Sequence, residues 1–320
     1  MAAGRSPAGE ITRSEASERA RLLHLQRYEV TLDLTGGPEA FRSTSVITFD
    51  CRERGAASYA DLIATRVVEI SLNGTSLDPA VVYDGSRITL PDLADSNELR
   101  VVADCRYSAD GTGMHRFADP ADGRIYTYTK FEPAYARTVY ACFEQPDLKA
   151  AFAISVVVPA HWTVLSNEAG GPAETGDAAV WRFPPTPRLP TYQFEIVAGE
   201  YTVVRGSHTT PRGQVIPLGL ACRQSLAEFL DADDIFAVTR QGLDYYTGLF
   251  ERDYPFGKYD QAFVPEFSAG ATESAGCVVW TDELLFRSRV TDTMLELRAS
   301  VVLHEMAHMW FGDMVTMKWW

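Results

Sequence analysis

The sequence predicts two units of different character, a mostly antiparallel β domain followed by an α+β region. Two observations carry this. Apolar residues recur with a period of two from residue 27 to about 204, and past about 205 the period lengthens to that of helices. A length of 320 residues suits two units of ordinary size. The expected division is a mobile N-terminal tail at residues 1–20, a β domain at 21–205 and an α+β domain at 206–320.

The tail is rich in Ala, Gly, Ser, Arg and Glu without periodicity. The first strand follows, with Tyr28, Val30, Leu32 and Leu34 on one face and Thr31 and Asp33 on the other. Val68, Ile70 and Leu72 repeat the pattern and run into Asn73-Gly74, a hairpin signal. Leu99, Val101, Ala103 and Cys105 form another strand, followed by Tyr126 and Tyr128, by residues 154–158, and by Phe194 and Ile196. The segment PPTPRLP at 184–190 is a loop within this domain, because strand-like sequence resumes after it. Residues 232–249 then read as a helix capped by Asp231 or Asp233, and 261–264 and 277–280 as strands. Thr291 or Asp292 caps a second helix expected to run to about Phe311, with Gly312 as its stop.

Composition excludes several classes. Hydrophobic residues at 46% and charged residues at 22% describe a globular chain. The net charge of −14 argues against nucleic acid or an anionic membrane as partner. No apolar run approaches the ~18 residues of a membrane span, and the N-terminus lacks the apolar core of a secretory signal. Five scattered cysteines, none in a C-x-x-C pair, read as buried thiols of a cytoplasmic protein.

The chemistry concentrates in the second helix, DTMLELRASVVLHEMAHMWFGD. Its later half is apolar nearly all round, as in a buried helix, yet it carries His304, Glu305 and His308. Burying these groups costs several kcal/mol unless each finds a partner. Residues four apart share one helical face, so His304 and His308 can grip a single Zn²⁺ ion. Glu305, next to the first ligand, can reach a metal-bound water as general base without ligating the metal. The alternative is that both rings are core histidines satisfied by main-chain carbonyls. A hydrolytic zinc site takes three protein ligands. The remaining histidines, His24, His115, His161 and His208, fall in the β region, where a lone histidine is usually structural.

From about residue 27 to 320 the sequence resembles the gluzincin aminopeptidases of the aminopeptidase N type, particularly their bacterial members. The resemblance rests on HEMAHMWFGD with VTMKWW after it, on VPEFSAGATESAG about thirty residues upstream, and on YTKFEP with ACFEQPDLKAAF. It implies a saddle-like N-terminal β domain packed on a thermolysin-like α+β catalytic domain. It implies removal of the N-terminal residue from peptides with a free N-terminus, with Glu273 holding the α-ammonium and the backbone at Gly270 and Ala271 pairing with substrate. It also implies a third zinc ligand, a Glu nineteen residues beyond His308. Only twelve residues (309–320) follow His308, so that ligand is expected beyond the C-terminus and the catalytic domain is expected to be truncated.

Three positions depart from the family pattern: Thr272 for Met, Ser274 for Asn, and Lys130 for a Gln that helps bind the substrate amine. A cation at about 4 Å from an ammonium, at an effective dielectric near 20, repels it by roughly 4 kcal/mol before screening. Lys130 is therefore expected to weaken or redirect amine recognition. Two competing readings remain, a non-catalytic peptide-binding protein on the same fold and a specialised processing protease.

Overall fold

The computed structural model describes residues 11–174 and 176–320. Alternating burial along Leu23–Asp33 and Ala40–Cys51 builds the centre of an eight-stranded sheet. The strand order is Gly171–Glu174, Ala178–Phe183, Ala151–Pro159, Leu23–Asp33, Ala40–Cys51, Ser96–Arg106, Arg66–Leu72 and Thr75–Leu77. All neighbours are antiparallel except Leu23–Asp33 and Ala151–Pro159, which run parallel with Tyr28 opposite Phe152. The hairpin at Asn73-Gly74 forms as expected, both residues having positive φ. Val68 differs: the register shifts between Val67 and Glu69, and this bulge leaves Val68 39% exposed while Ile70 and Leu72 stay buried.

A four-stranded sheet, ordered Thr163–Ser166, Ile196–Gly199, Ile125–Lys130 and Gly113–Ala118, faces the second unit. There Tyr126 and Tyr128 pack in a buried cluster with Tyr201, Phe267 and Val279. A second, larger core runs through both units.

The tail expected at 1–20 is corrected over its second half, while residues 1–10 lie outside the described residues. Arg13–Leu22 is a helix with a capping box, in which Thr12 accepts from the Glu15 amide and Glu15 accepts from the Thr12 amide. The helix is held by charge. Arg19 is buried, pairs with Asp61 at 2.8 Å, donates to Gln145 Oε1 at 3.0 Å and lies over the Tyr59 ring.

The second unit is built on a five-stranded mixed sheet ordered Tyr201–Thr209, Val215–Arg223, Tyr259–Val264, Cys277–Thr281 and Ala271–Thr272. The strand Tyr201–Thr209 belongs to this sheet and straddles the boundary expected near residue 205. The helix Ala232–Leu249 spans the residues expected of it, and the helix Asp292–His308 ends one turn earlier than expected. Among the described residues, no helix is long and apolar enough to cross a membrane. All five cysteines are free and buried.

Candidate active site

The helix Asp292–His308 starts where the Thr291 hydroxyl accepts from the Met294 amide. Its first half is pinned by Arg298, a buried guanidinium 3.0 Å from Asp231 and 2.7 Å from Asp234 at the start of the neighbouring helix. Its second half packs closely on that helix at Gly242, where a Cβ would lie 2.6 Å from Leu303 and 2.8 Å from Met306. Past His308 the chain turns at Gly312, whose φ of 145° only glycine adopts readily. The Asp313 amide then donates back to the His308 carbonyl at 3.1 Å. Burial is one-sided: Glu305 and Met306 are buried, His304 is exposed and His308 half-buried. The helix is thus less enclosed than its apolar sequence suggests, because one flank faces out and brings the imidazoles to a surface.

The two rings converge. His304 Nε2 and His308 Nε2 are 3.2 Å apart, with ring planes at 81°. His308 Nδ1 lies 3.0 Å from the Phe311 carbonyl, a partner that can only accept, so the proton sits on Nδ1 and Nε2 is left with its lone pair. Two ring nitrogens at this distance suit a shared cation. Tetrahedral zinc with bonds of about 2.0–2.1 Å separates its ligand nitrogens by roughly 3.3 Å. Ligand atoms of Glu273, Glu305 and His308 also lie within 4.8 Å of one another. The donor set therefore fits a dication of the zinc type.

The other histidines stay apart from this pair. His24 and His161 are exposed near Asp50 and Glu200, at 3.6 and 3.7 Å. His115 is buried 3.2 Å from Glu266, and His208 is 2.6 Å from Asp244.

Glu273 and Glu305 lie beside His308, and with Glu132 and Asp313 they make four acidic groups that feel one another. Burial, followed by the charges of Glu273 and Glu132, pushes Glu305 up to about 8. Burial, followed by Glu273, pushes Glu132 up to about 7, with Lys130 pulling the other way. Asp313 is raised well above the carboxylate range by burial and then by Glu273. Its side chain takes a hydrogen bond from Gln193, and Lys149 Nζ donates to its carbonyl at 2.8 Å. Such a concentration of buried carboxyl groups favours a cation, whether metal or ammonium. Glu132 Oε2 is buried and, among the described residues, has no hydrogen-bond partner.

Glu132 and Asp313 were not among the residues the sequence singled out, although each stands inside a quoted motif, YTKFEP and HEMAHMWFGD. The available signal was a carboxylate two residues past Lys130 and another five past His308.

The upstream motif forms the edge of the five-stranded sheet. Ala271 and Thr272 pair antiparallel with Trp280 and Val279, and the Thr281 amide donates to the Gly270 carbonyl at 3.1 Å. As the last strand in the order, this segment can accept an added strand along its outer edge. Apart from its chain neighbours, no atom of the described residues comes within 4 Å of where a Gly270 Cβ would lie. Of the departures, Thr272 and Ser274 are buried, the latter donating to Glu195 Oε2 at 2.7 Å. Lys130 is half-buried and reaches the same segment as Tyr128 does. Its Nζ lies 3.2 Å from Ser268 Oγ and 5.6 Å from the centre of the Phe267 ring. Tyr128 donates to the Glu266 carbonyl at 3.3 Å.

Comparison with known sequences agrees with this geometry. The profile of the Peptidase M1 N-terminal domain matches residues 26–193, and that of the Peptidase family M1 domain matches residues 235–320. Aminopeptidase N of Streptomyces lividans is 52% identical over 98% of this chain and 36% of its own length. Probable aminopeptidase 1 of Sulfurisphaera tokodaii is 29% identical over 93% of this chain and 36% of its own. Human aminopeptidase N is 29% identical over 98% and 36%. The chain thus spans just over a third of the length of these relatives.

Proposed function

Because this chain belongs to the M1 peptidase family, we propose that its site is that of a zinc aminopeptidase acting on peptides with a free N-terminus. The observation that carries the proposal is the pair of imidazole nitrogens 3.2 Å apart, with Glu305 and Glu273 beside them. His304 and His308 would hold the ion. A zinc ion there supplies Lewis acidity toward a peptide carbonyl and lowers the pKa of its water toward neutrality.

The protein's own groups do the rest. Glu305 takes a proton from the attacking water on its carboxylate and hands it to the departing amine. Burial and the neighbouring carboxylates raise its pKa, and the charge of a dication held by the imidazoles would favour the ionised form that accepts the proton. Glu273 holds the substrate ammonium, and the unpartnered oxygen of Glu132 supports a second contact to the same group. Gly270 and Ala271 offer the substrate backbone an open sheet edge. Anchoring the amine at a fixed distance from the imidazole pair restricts hydrolysis to the first peptide bond. Five free buried cysteines support a reducing, cytoplasmic setting.

The test is turnover of an aminoacyl fluorogenic amide by the zinc-loaded protein, beside the same amide acetylated on nitrogen. Cleavage of the free-amine compound alone, lost in Glu305→Gln, is the expected result. Equal cleavage of both would indicate an endopeptidase. Zinc and peptide binding with no turnover would favour a binding protein on the same fold.

A further inference from the structure

Glu195 lies just before the strand Ile196–Gly199, is 1% exposed, and belongs neither to the imidazole pair nor to the sheet edge. Its two oxygens face different units of the protein. Oε1 accepts from the Thr129 hydroxyl at 2.6 Å and from the Thr129 amide at 3.3 Å. Oε2 accepts from the Ser274 hydroxyl at 2.7 Å. Thr129 precedes Lys130 and stands three residues before Glu132, whereas Ser274 follows Glu273. One carboxyl group thus closes a three-residue bridge between the two segments that carry the acidic anchors.

The bridge is braced from behind. Asn167 donates to the carbonyls of Gln193 and Ala275 at 2.6 and 2.9 Å, and its side-chain oxygen accepts from the Glu195 amide at 2.9 Å. Ser166 donates to the Glu195 carbonyl at 2.7 Å. Backbone and side chain of Glu195 are both held, so the carboxyl has little freedom to follow either segment if one moves. A buried carboxyl is a poorer source of stability than an apolar side chain of the same volume. Its hydrogen bonds specify geometry instead.

We infer that Glu195 is a positioning residue that sets the spacing of Glu132 and Glu273, so that one substrate ammonium can meet both. This rests on the reading of those two carboxylates as the ammonium anchors. An error of about 1 Å in such spacing is enough to cost roughly a hundredfold in a positioned interaction.

The experiment uses the zinc-loaded full chain and two probes, leucine hydroxamate and its N-acetyl derivative, with both affinities measured by calorimetry. The hydroxamate reports the metal in both probes, and the ratio of affinities reports the amine. Wild type is expected to prefer the free amine by about tenfold or more, the scale of one charge-assisted hydrogen bond. Glu195→Gln can still bond to both hydroxyls and is expected to keep that preference. Glu195→Leu is expected to lose about tenfold of it while binding the acetylated probe as wild type does. Equal weakening of both probes in Glu195→Leu would mean a general structural role and would overturn the inference. An undiminished preference in that variant would do the same while leaving the anchors standing. Absence of any preference in wild type would overturn the anchors and the positioning role together. If Glu195→Leu does not fold, Ser274→Ala removes a single oxygen from the bridge. It is expected to reduce the preference about threefold or more, and an unchanged ratio there would overturn the inference.

Discussion

Replacing Gly312 by alanine tests how the turn after the helix supports the second imidazole. Gly312 has φ 145°, and an added Cβ would lie 3.2 Å from His308 Nδ1 and 3.4 Å from the His308 carbonyl oxygen. That Nδ1 is the atom whose 3.0 Å bond to the Phe311 carbonyl sets the ring's tautomer. Two costs follow. Holding alanine in this backbone region costs roughly 1–3 kcal/mol of stability. Crowding the supporting bond loosens the ring, and losing such support lowers metal affinity by roughly ten- to a hundredfold. The control is Gly248→Ala near the end of the helix Ala232–Leu249, where an added Cβ meets nothing within 4 Å among the described residues beyond its own helix turn. That change is expected to raise stability by roughly 0.4–1 kcal/mol and leave zinc binding untouched. The assay is zinc titration against a chromophoric chelator, with thermal unfolding of each variant. Wild-type zinc affinity in Gly312→Ala, or an equal loss in both variants, would refute the argument.

Two further predictions concern charge. Burial raises the carboxyl of Glu144 from 4.5 to about 7, so its contribution to stability is complete below the ordinary carboxylate range and is lost as pH rises through 7. That interval corresponds to roughly 3 kcal/mol, which wild type should lose between pH 4.5 and 8 in urea unfolding and Glu144→Gln should retain; parallel pH profiles would contradict this. Lys130→Gln should tighten binding of a free-amine ligand about fivefold, ~1 kcal/mol, after allowing for the solvent screening of a half-exposed cation. Unchanged affinity, or unchanged kcat/KM on aminoacyl substrates, would mean that the cation does not act on the amine.

What could be read from the sequence was what depends on local pattern. Alternation at Tyr28, Val30 and Leu32, the Asn73-Gly74 turn and the 3.6-residue period of 232–249 each describe neighbours along one chain, and each has its structural counterpart. The two histidines one turn apart belong with these, because helix geometry alone brings them together. The helix Arg13–Leu22 escaped because its anchor is a guanidinium bound to Asp61, forty-two residues away, rather than an apolar stripe. The bulge exposing Val68 depends on the partner strand. The parallel pairing of Leu23–Asp33 with Ala151–Pro159 joins segments with most of the first unit between them. Glu132 and Glu195 became visible only in three dimensions: each is a carboxyl in a strand-rich stretch whose meaning lies in the second unit packed against it.

The central claim is that one divalent ion is held between His304 and His308, and X-ray absorption at the zinc edge tests it most directly. On the zinc-loaded protein, the spectrum should contain scattering from two imidazoles, with nitrogens at about 2.0–2.1 Å. His304→Ala and His308→Ala should each reduce this to one. A spectrum without imidazole scattering, or one that neither substitution alters, would contradict the account.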